Sequence, residues 1–207
     1  MSGGPADPRT FFRETLPAQF NEALREQEQI VETAQRVLEG MRGVDATIRV
    51  EIRGDGGGIF FLNIAAGRLT PGDAPAHPPF LTLVQDRPSF ERFAAEVGGS
   101  ALGFLGALSG LAQEMRLTRA RIHMLAGLAG SVRFELRGEG GFSLLTHFGA
   151  AAPPDRPTTS IAVDRTAYRA LRAGELDPQD AFLSGQIQLE GDLQLAMQLA
   201  LAALAPD

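Results

Sequence analysis

The sequence predicts an α/β protein of the α+β type. Its expected core is a mainly antiparallel sheet covered on one side by helices and built from two pseudo-repeats that share one core. Three observations carry this. Short segments alternate polar and apolar residues, as Gln186-Ile187-Gln188-Leu189-Glu190 does, which marks a strand with one face on a core. Longer segments space their apolar residues three and four apart, the period of a one-sided helix. A nonamer recurs: Arg49–Gly57 (RVEIRGDGG) aligns with Arg133–Gly141 (RFELRGEGG), identical at six of nine positions.

In chain order, residues 10–41 read as helix with a break at Pro17. Within it Ile30, Val31, Ala34, Val37 and Leu38 form one apolar stripe, and Gly40 and Gly43 stop it. Strands follow at Ala46–Arg53 and Ile59–Ile64, joined by GDGGG. A Pro/Gly-rich loop comes next (GRLTPGDAPAHPPF), then a strand at Leu81–Gln85 and a short helix at Pro88–Glu96. The second repeat keeps this order. FSLLTHF follows its nonamer, GAAAPPDRPT is its loop, and TSIAVDRTAYRAL parallels FLTLVQDRPSFERF. Between the copies, Arg116–Met124 alternates like a strand. The expected organisation is a flexible terminus at 1–9, an N-terminal half at 10–128 and a C-terminal half at 129–207. Agreement across four elements favours duplication, at a spacing too long for a solenoid.

Bulk properties exclude several classes. With 207 residues and 44% hydrophobic content the chain can bury a core without staples. It has no cysteine, so disulfides and thiolate metal sites are out. All 19 basic residues are Arg, a usage that suggests a GC-rich bacterial genome, and the net charge of −6 opposes nucleic acid as partner. No uncharged apolar run reaches the roughly 18 residues of a span, and MSGGPADPRT lacks a signal-peptide pattern, so a soluble cytoplasmic protein is expected.

Catalytic signals are thin. His77 sits among prolines, while His123 and His147 lie on strand candidates, where an exposed or hydrogen-bonded histidine is the default. No HxxxH or HxH spacing suggests a metal, and no G-x-S-x-G elbow appears. GDGGG precedes a strand rather than a helix and reads as a hairpin turn, not a phosphate loop. Asp177 and Asp180, beside Pro178, suit a helix start better than an acid pair.

The final helix raises a question of its own. Asp192 can cap it. Leu195, Leu199 and Ala202 fall on one face, and Leu193, Met197, Leu201 and Leu204 on another, with Gln194 and Gln198 as a narrow polar edge. One face can cover the sheet. The second needs a ligand, a partner chain or the other half of the same chain. Leu102–Met115 is similarly apolar, with interspersed Gly103, Gly106 and Gly110, and reads either as close helix packing permitted by small residues or as a mobile lid or lipid-contacting element.

The stretch from Ala167 to Leu204 resembles the C-terminal half of the sterol carrier protein type 2 family. The matching positions are Gly174, Leu176, Pro178, Ala181, Phe182, Gly185, Ile187, Leu189, Gly191, Leu193, Leu195, Ala196, Met197 and Leu199. The resemblance covers about residues 129–204; the N-terminal half fits less clearly and lacks the DPxxAF signature. It implies a sterol-carrier-like fold and non-catalytic binding or transfer of a lipid (sterol, fatty acid, acyl-CoA or polyprenyl) in an apolar tunnel between sheet and helices. No cofactor or metal is implied, and transient membrane contact and a homodimer are compatible with it. The residues expected at the ligand are Phe104, Leu105, Leu108, Phe142, Leu144, Phe182, Leu183, Leu193, Leu195, Ala196, Met197 and Leu199. The alternative is an interaction module or accessory scaffold for synthesis of a lipid-like metabolite such as a quinone, with the tunnel filled.

Overall fold

The computed structural model describes residues 7–97 and 116–204. The chain divides into two compact units, Met1–Glu39 and Gly40–Asp207. In the first, α1 (Pro8–Thr10) is capped by Asp7, whose carboxylate accepts from the Thr10 amide at 3.0 Å. A π-helical turn at Phe11–Thr15 leads into α2 (Leu16–Arg42). The break expected at Pro17 is absent. The irregularity falls just before it instead, in the π-helical turn, where the Leu16 amide donates to the Phe11 carbonyl and the helix then runs on through Pro17.

The second unit is built on one eight-stranded sheet. Its strands are β1 (Ala46–Arg53), β2 (Gly58–Ala65), β3 (Arg68–Gly72), β4 (Pro79–Asp86), β5 (Gly130–Arg137), β6 (Phe142–Phe148), β7 (Thr159–Asp164) and β8 (Ile187–Gly191). They lie in the order β3-β2-β1-β4-β6-β5-β7-β8. The two nonamers occupy equivalent places. β1 forms a hairpin with β2 and pairs in parallel with β4; β5 forms a hairpin with β6 and pairs in parallel with β7. β3 extends the first set and β8 the second, both antiparallel. The segment expected to be loop before Phe80 thus contains a strand, β3, because Leu62 and Ile64 on β2 offer an open edge to Pro71 and Leu69.

Each hairpin turns on the same chemistry. The Gly57 amide donates to the Gly54 carbonyl at 3.0 Å and Gly141 to Gly138 at 2.9 Å. Gly54, Gly56, Gly138 and Gly140 all take positive φ. A Cβ on Gly57 would stand 2.1 Å from the Ile52 carbonyl oxygen, and one on Gly141 2.2 Å from that of Leu136. Each turn is also held from outside by an Asp-Arg pair at the next helix start. Asp86 caps α3 (Arg87–Val97) at the Ser89 amide, and Arg87 donates to the Gly56 carbonyl. Asp164 caps α5 (Arg165–Ala173) at the Ala167 amide, and Arg165 donates to the Gly140 carbonyl.

The two sets meet where β4 pairs antiparallel with β6, from Leu81↔Phe148 to Val84↔Leu145. Beyond Val84 side chains continue the ladder: Gln85 Nε2 donates to the Ser143 carbonyl at 3.1 Å, and the Ser143 amide donates to Ser89 Oγ at 3.3 Å. α3 adds Glu96, which accepts from Arg165 Nη1 at 3.0 Å, and Arg92, which donates to the Gly141 carbonyl.

Register assigns one sheet face to the helices. Ile48, Leu83, Thr146, Val132 and Thr159 share it, as do Leu136, Phe142 and Val163. Leu125 of α4 (Arg119–Ala126) and Leu195, Leu199 and Ala202 of α7 (Leu193–Leu204) pack there with Ile48, Leu81, Leu83, Val132, Leu144 and Phe148. This cluster draws on both halves of the chain, as a shared core requires. A second cluster joins Phe93 of α3, Ala167, Tyr168 and Leu171 of α5 and Ala181 of α6 (Pro178–Leu183) to Leu136, Phe142 and Val163. The strand expected at Arg116–Met124 is instead α4. Thr118 caps it at the Arg121 amide, Arg121 and Leu125 are its buried side chains, and Leu125 anchors it in the core; only a tertiary anchor distinguishes this short segment from a strand.

Replacing Gln85 by Ala removes the side-chain rung between the two strand sets in a buried position. It should cost about 1–2 kcal/mol, read as a lower urea midpoint with an unchanged slope.

Candidate functional site

The alternation of β5, β7 and β8 puts Phe134, Ile161 and Leu189 in one row on the helix-covered face. All three are only half-buried, although their neighbours Leu136 and Val163 along the same strands are fully buried. The reason lies in how the two core clusters divide. Phe134 packs on the second cluster, its ring centroid 6.1 Å from those of Phe142 and Tyr168. Ile161 packs on the first. The row therefore marks an apolar seam where the clusters part. Leu176 and Ile187, also half-buried, lie on the second cluster.

The elements bracketing the seam are positioned by their caps. Asp177 accepts from the Gln179 amide at 2.8 Å and starts α6, which packs against β8. Asp192 accepts from the Gln194 and Leu195 amides and starts α7, which packs against β7 and α4. The Thr159 hydroxyl donates to the Asp192 carbonyl, tying the α7 start to the sheet. Gly191, at φ 97°, lets β8 turn directly into α7, and a Cβ there would stand 2.2 Å from the Thr158 carbonyl oxygen.

The residues expected at the ligand divide three ways. Leu144, Leu195 and Leu199 are members of the first cluster and Phe142 of the second; Ala196 is also buried. Phe182, Leu183, Leu193 and Met197 are exposed. Phe104, Leu105 and Leu108, with the whole 102–115 segment, lie outside the described residues. The two faces read from the α7 sequence are real. Leu195, Leu199 and Ala202 are buried, while Leu193, Met197 and Leu201 are 51%, 57% and 67% exposed. Sequence reading missed Phe134, Ile161 and Leu189 as a set. Their inward position was legible from alternation, but their incomplete cover depends on where the clusters part.

The opposite face carries the charged pairs beside apolar Val84, Leu145 and Ala162. Arg49 and Arg53 each donate to Glu51 at 2.8 Å, and Arg137 lies 3.8 Å from Glu135, so both nonamers direct Arg-x-Glu-x-Arg to this side. The hydrogen bond from Arg53, then the charges of Arg53 and Arg49, holds the Glu51 carboxyl below its ordinary value of 4.5 against the opposing effect of partial burial. Thr47 and Asn63 accept amides from His77 and Ala76, which fastens the loop after β3 over this face. His147, between Thr82 and Ser131 in register, is buried with neither ring nitrogen hydrogen-bonded. The default of an exposed or hydrogen-bonded histidine fails there. His123 is exposed on α4 rather than on a strand. Burial raises the Tyr168 hydroxyl above its ordinary range, opposed by the Arg172 charge beside it. Among the described residues no group of three or more His, Cys, Asp or Glu could hold a metal ion, and no helix is long and apolar enough to cross a membrane.

Residues 112–203 match the model of the SCP-2 sterol transfer family. The positions from Gly174 to Leu199 that carry the sequence resemblance fall inside this match, and the C-terminal half is the clearer one. Among solved structures, the chain is similar to sterol carrier protein 2 like 2 from Aedes aegypti, with 21% identity, 54% of this chain and 89% of that chain covered and a TM-score of 0.30. For apo sterol carrier protein 2 from Yarrowia lipolytica the values are 14%, 53%, 97% and 0.32. For the ubiquinone synthesis protein UbiJ-SCP2 they are 20%, 54%, 96% and 0.33. No curated protein matches the chain.

Glu51→Gln should lower the melting temperature at pH 7. A depressed carboxylate contributes stability above its unfolded value and loses it as pH falls through the folded one. The gap between wild type and variant should therefore close in acid below 4.5; a gap of unchanged size there would refute the ion-pair origin.

Proposed function

With residues 112–203 matching a sterol transfer family, we propose that the protein binds and transfers a lipid without catalysing a reaction on it. The matched family supports lipid binding in general. The seam at Phe134, Ile161 and Leu189 is the single observation that supports a ligand position in this chain. The inner face of α7, where a tunnel would be expected, is packed with Ile48, Leu81 and Leu83 from the first half. A ligand held between sheet and helices is therefore displaced toward the row where cover is incomplete. The repeated nonamer and matching strand arrangement support an origin by internal duplication, in which the first half supplies atoms that a single copy would leave to the lipid.

An apolar seam suits a sterol, fatty acyl or isoprenoid chain. Burying about 400 Å² of ligand surface yields roughly 10 kcal/mol at about 25 cal/mol per Å². Association costs on the order of 4 kcal/mol or more, which leaves affinity in the tens of micromolar with no charged contact. Selection would be by length and shape, at about 1–3 kcal/mol per methylene.

The same packing of α7 favours a second reading, a scaffold with a filled interior whose exposed apolar residues hold a partner protein. Native mass spectrometry and titration with fluorescent fatty acid and sterol probes separate the two. The wild type should carry or take up lipid, and Ile161→Glu should weaken uptake at least tenfold while circular dichroism reports an intact fold. Absence of co-purified lipid together with no probe binding would overturn the lipid reading and leave the scaffold.

A further inference from the structure

We propose that α2 is an oligomerisation helix that pairs with the α2 of a second copy as a parallel, in-register, two-stranded coiled coil. From Leu16 to Met41 the residues Leu16, Phe20, Ala23, Gln27, Ile30, Ala34, Val37 and Met41 recur at alternating spacings of four and three. That is the a/d pattern of a coiled-coil seam, sustained over more than three heptads on one unbroken helix. Phe20, Gln27, Ala34 and Met41 hold the a positions; Leu16, Ala23, Ile30 and Val37 hold d. Leu24, Val31 and Leu38 fall seven apart beside the seam, at e.

The unit lacks cover of its own. Among its described residues only Val37 is buried. Phe20 is 72% and Ile30 59% exposed, and Leu16, Leu24, Val31 and Leu38 are exposed as well. A single helix with this stripe gains nothing from packing and is marginal alone in water. The free seam from Leu16 to Ala34 is about 28 Å long at about 1.5 Å per residue. Pairing two such seams buries on the order of 1,200 Å², the lower bound for a stable interface.

The seam residues select a second copy. Gln27 is the one polar side chain at an a position, and an amide both donates and accepts. In a parallel in-register pair it meets its own counterpart at the same height and the two satisfy each other, the register-setting use of a polar a residue. An antiparallel pair would set it against a d residue, all of which are apolar. Ala23 and Ala34 let the helices approach. The charges Glu22, Arg25, Glu28, Glu32, Arg36 and Glu39 lie at b, c and f, away from the seam, and Glu26 at g faces Val31 of the other copy, so identical helices bring no like charges together.

Sedimentation velocity of the full chain tests the pairing. The wild type should sediment as two copies of 22.1 kDa at micromolar concentration. Ile30→Glu should sediment as one copy, with the sheet signal in circular dichroism unchanged, and Ile30→Leu should remain paired. The chain has no cysteine, so Gln27→Cys provides a clean probe of register. Mild oxidation should cross-link it to a covalent dimer. A wild-type monomer, a species above two copies, a dimer unmoved by Ile30→Glu, or a dimer whose Gln27→Cys variant fails to cross-link would each overturn the proposal. None of these readouts depends on lipid binding.

Discussion

The pairing of β4 with β6 is the contact on which the rest of the sheet unit depends. Separately, each four-stranded set would end in an exposed, apolar strand edge. Leu81, Leu83, Val84, Leu144 and Leu145 are all buried, so that edge could not stand in water without inviting association. The direct ladder is only four pairs long. Gln85 and Ser89 extend it with side-chain bonds to Ser143, and Arg92 and Glu96 reach from the first half to the second half's turn and helix. A short ladder thereby becomes a broad, buried junction.

The helix side follows from this junction. Once β4 and β6 lie side by side, the face they share is wide, and α4 and α7 must cover residues from both halves. The apolar inner face of α7 is thus spent on protein contacts. What remains incompletely covered is the row farther out, across β5, β7 and β8, where α5 and α6 build a separate cluster. The seam between clusters is a geometric product of joining two sets in one sheet and then covering it with helices that belong mostly to one of them.

The face with the charged pairs reflects the same repetition. Both nonamers direct Arg-x-Glu-x-Arg outward, Asp86 and Asp164 cap the helices that follow, and Arg87 and Arg165 hold both turns by the same bond to a glycine carbonyl. These contacts are local, which is why the repeat survives as a readable pattern. The junction contacts have no counterpart in the repeat, because Gln85, Ser89 and Glu96 serve the meeting of two unlike edges.

The sequence by itself determined the elements whose signals are local. β1 and β2, the hairpin turns, the caps at Asp177 and Asp192 and the two faces of α7 could all be read from alternation, glycine and carboxylate placement. The resemblance running from Gly174 to Leu199 falls inside the family match. Only the tertiary structure decided the rest. Arg119–Ala126 became a helix because Leu125 finds a core, β3 formed because β2 offered an edge, and His147 is buried without a hydrogen-bond partner. Which apolar residues close the core and which stay half-covered at Phe134, Ile161 and Leu189 could not be read in advance. Alternation fixes the side a residue faces, whereas burial depends on what the distant chain brings to that side.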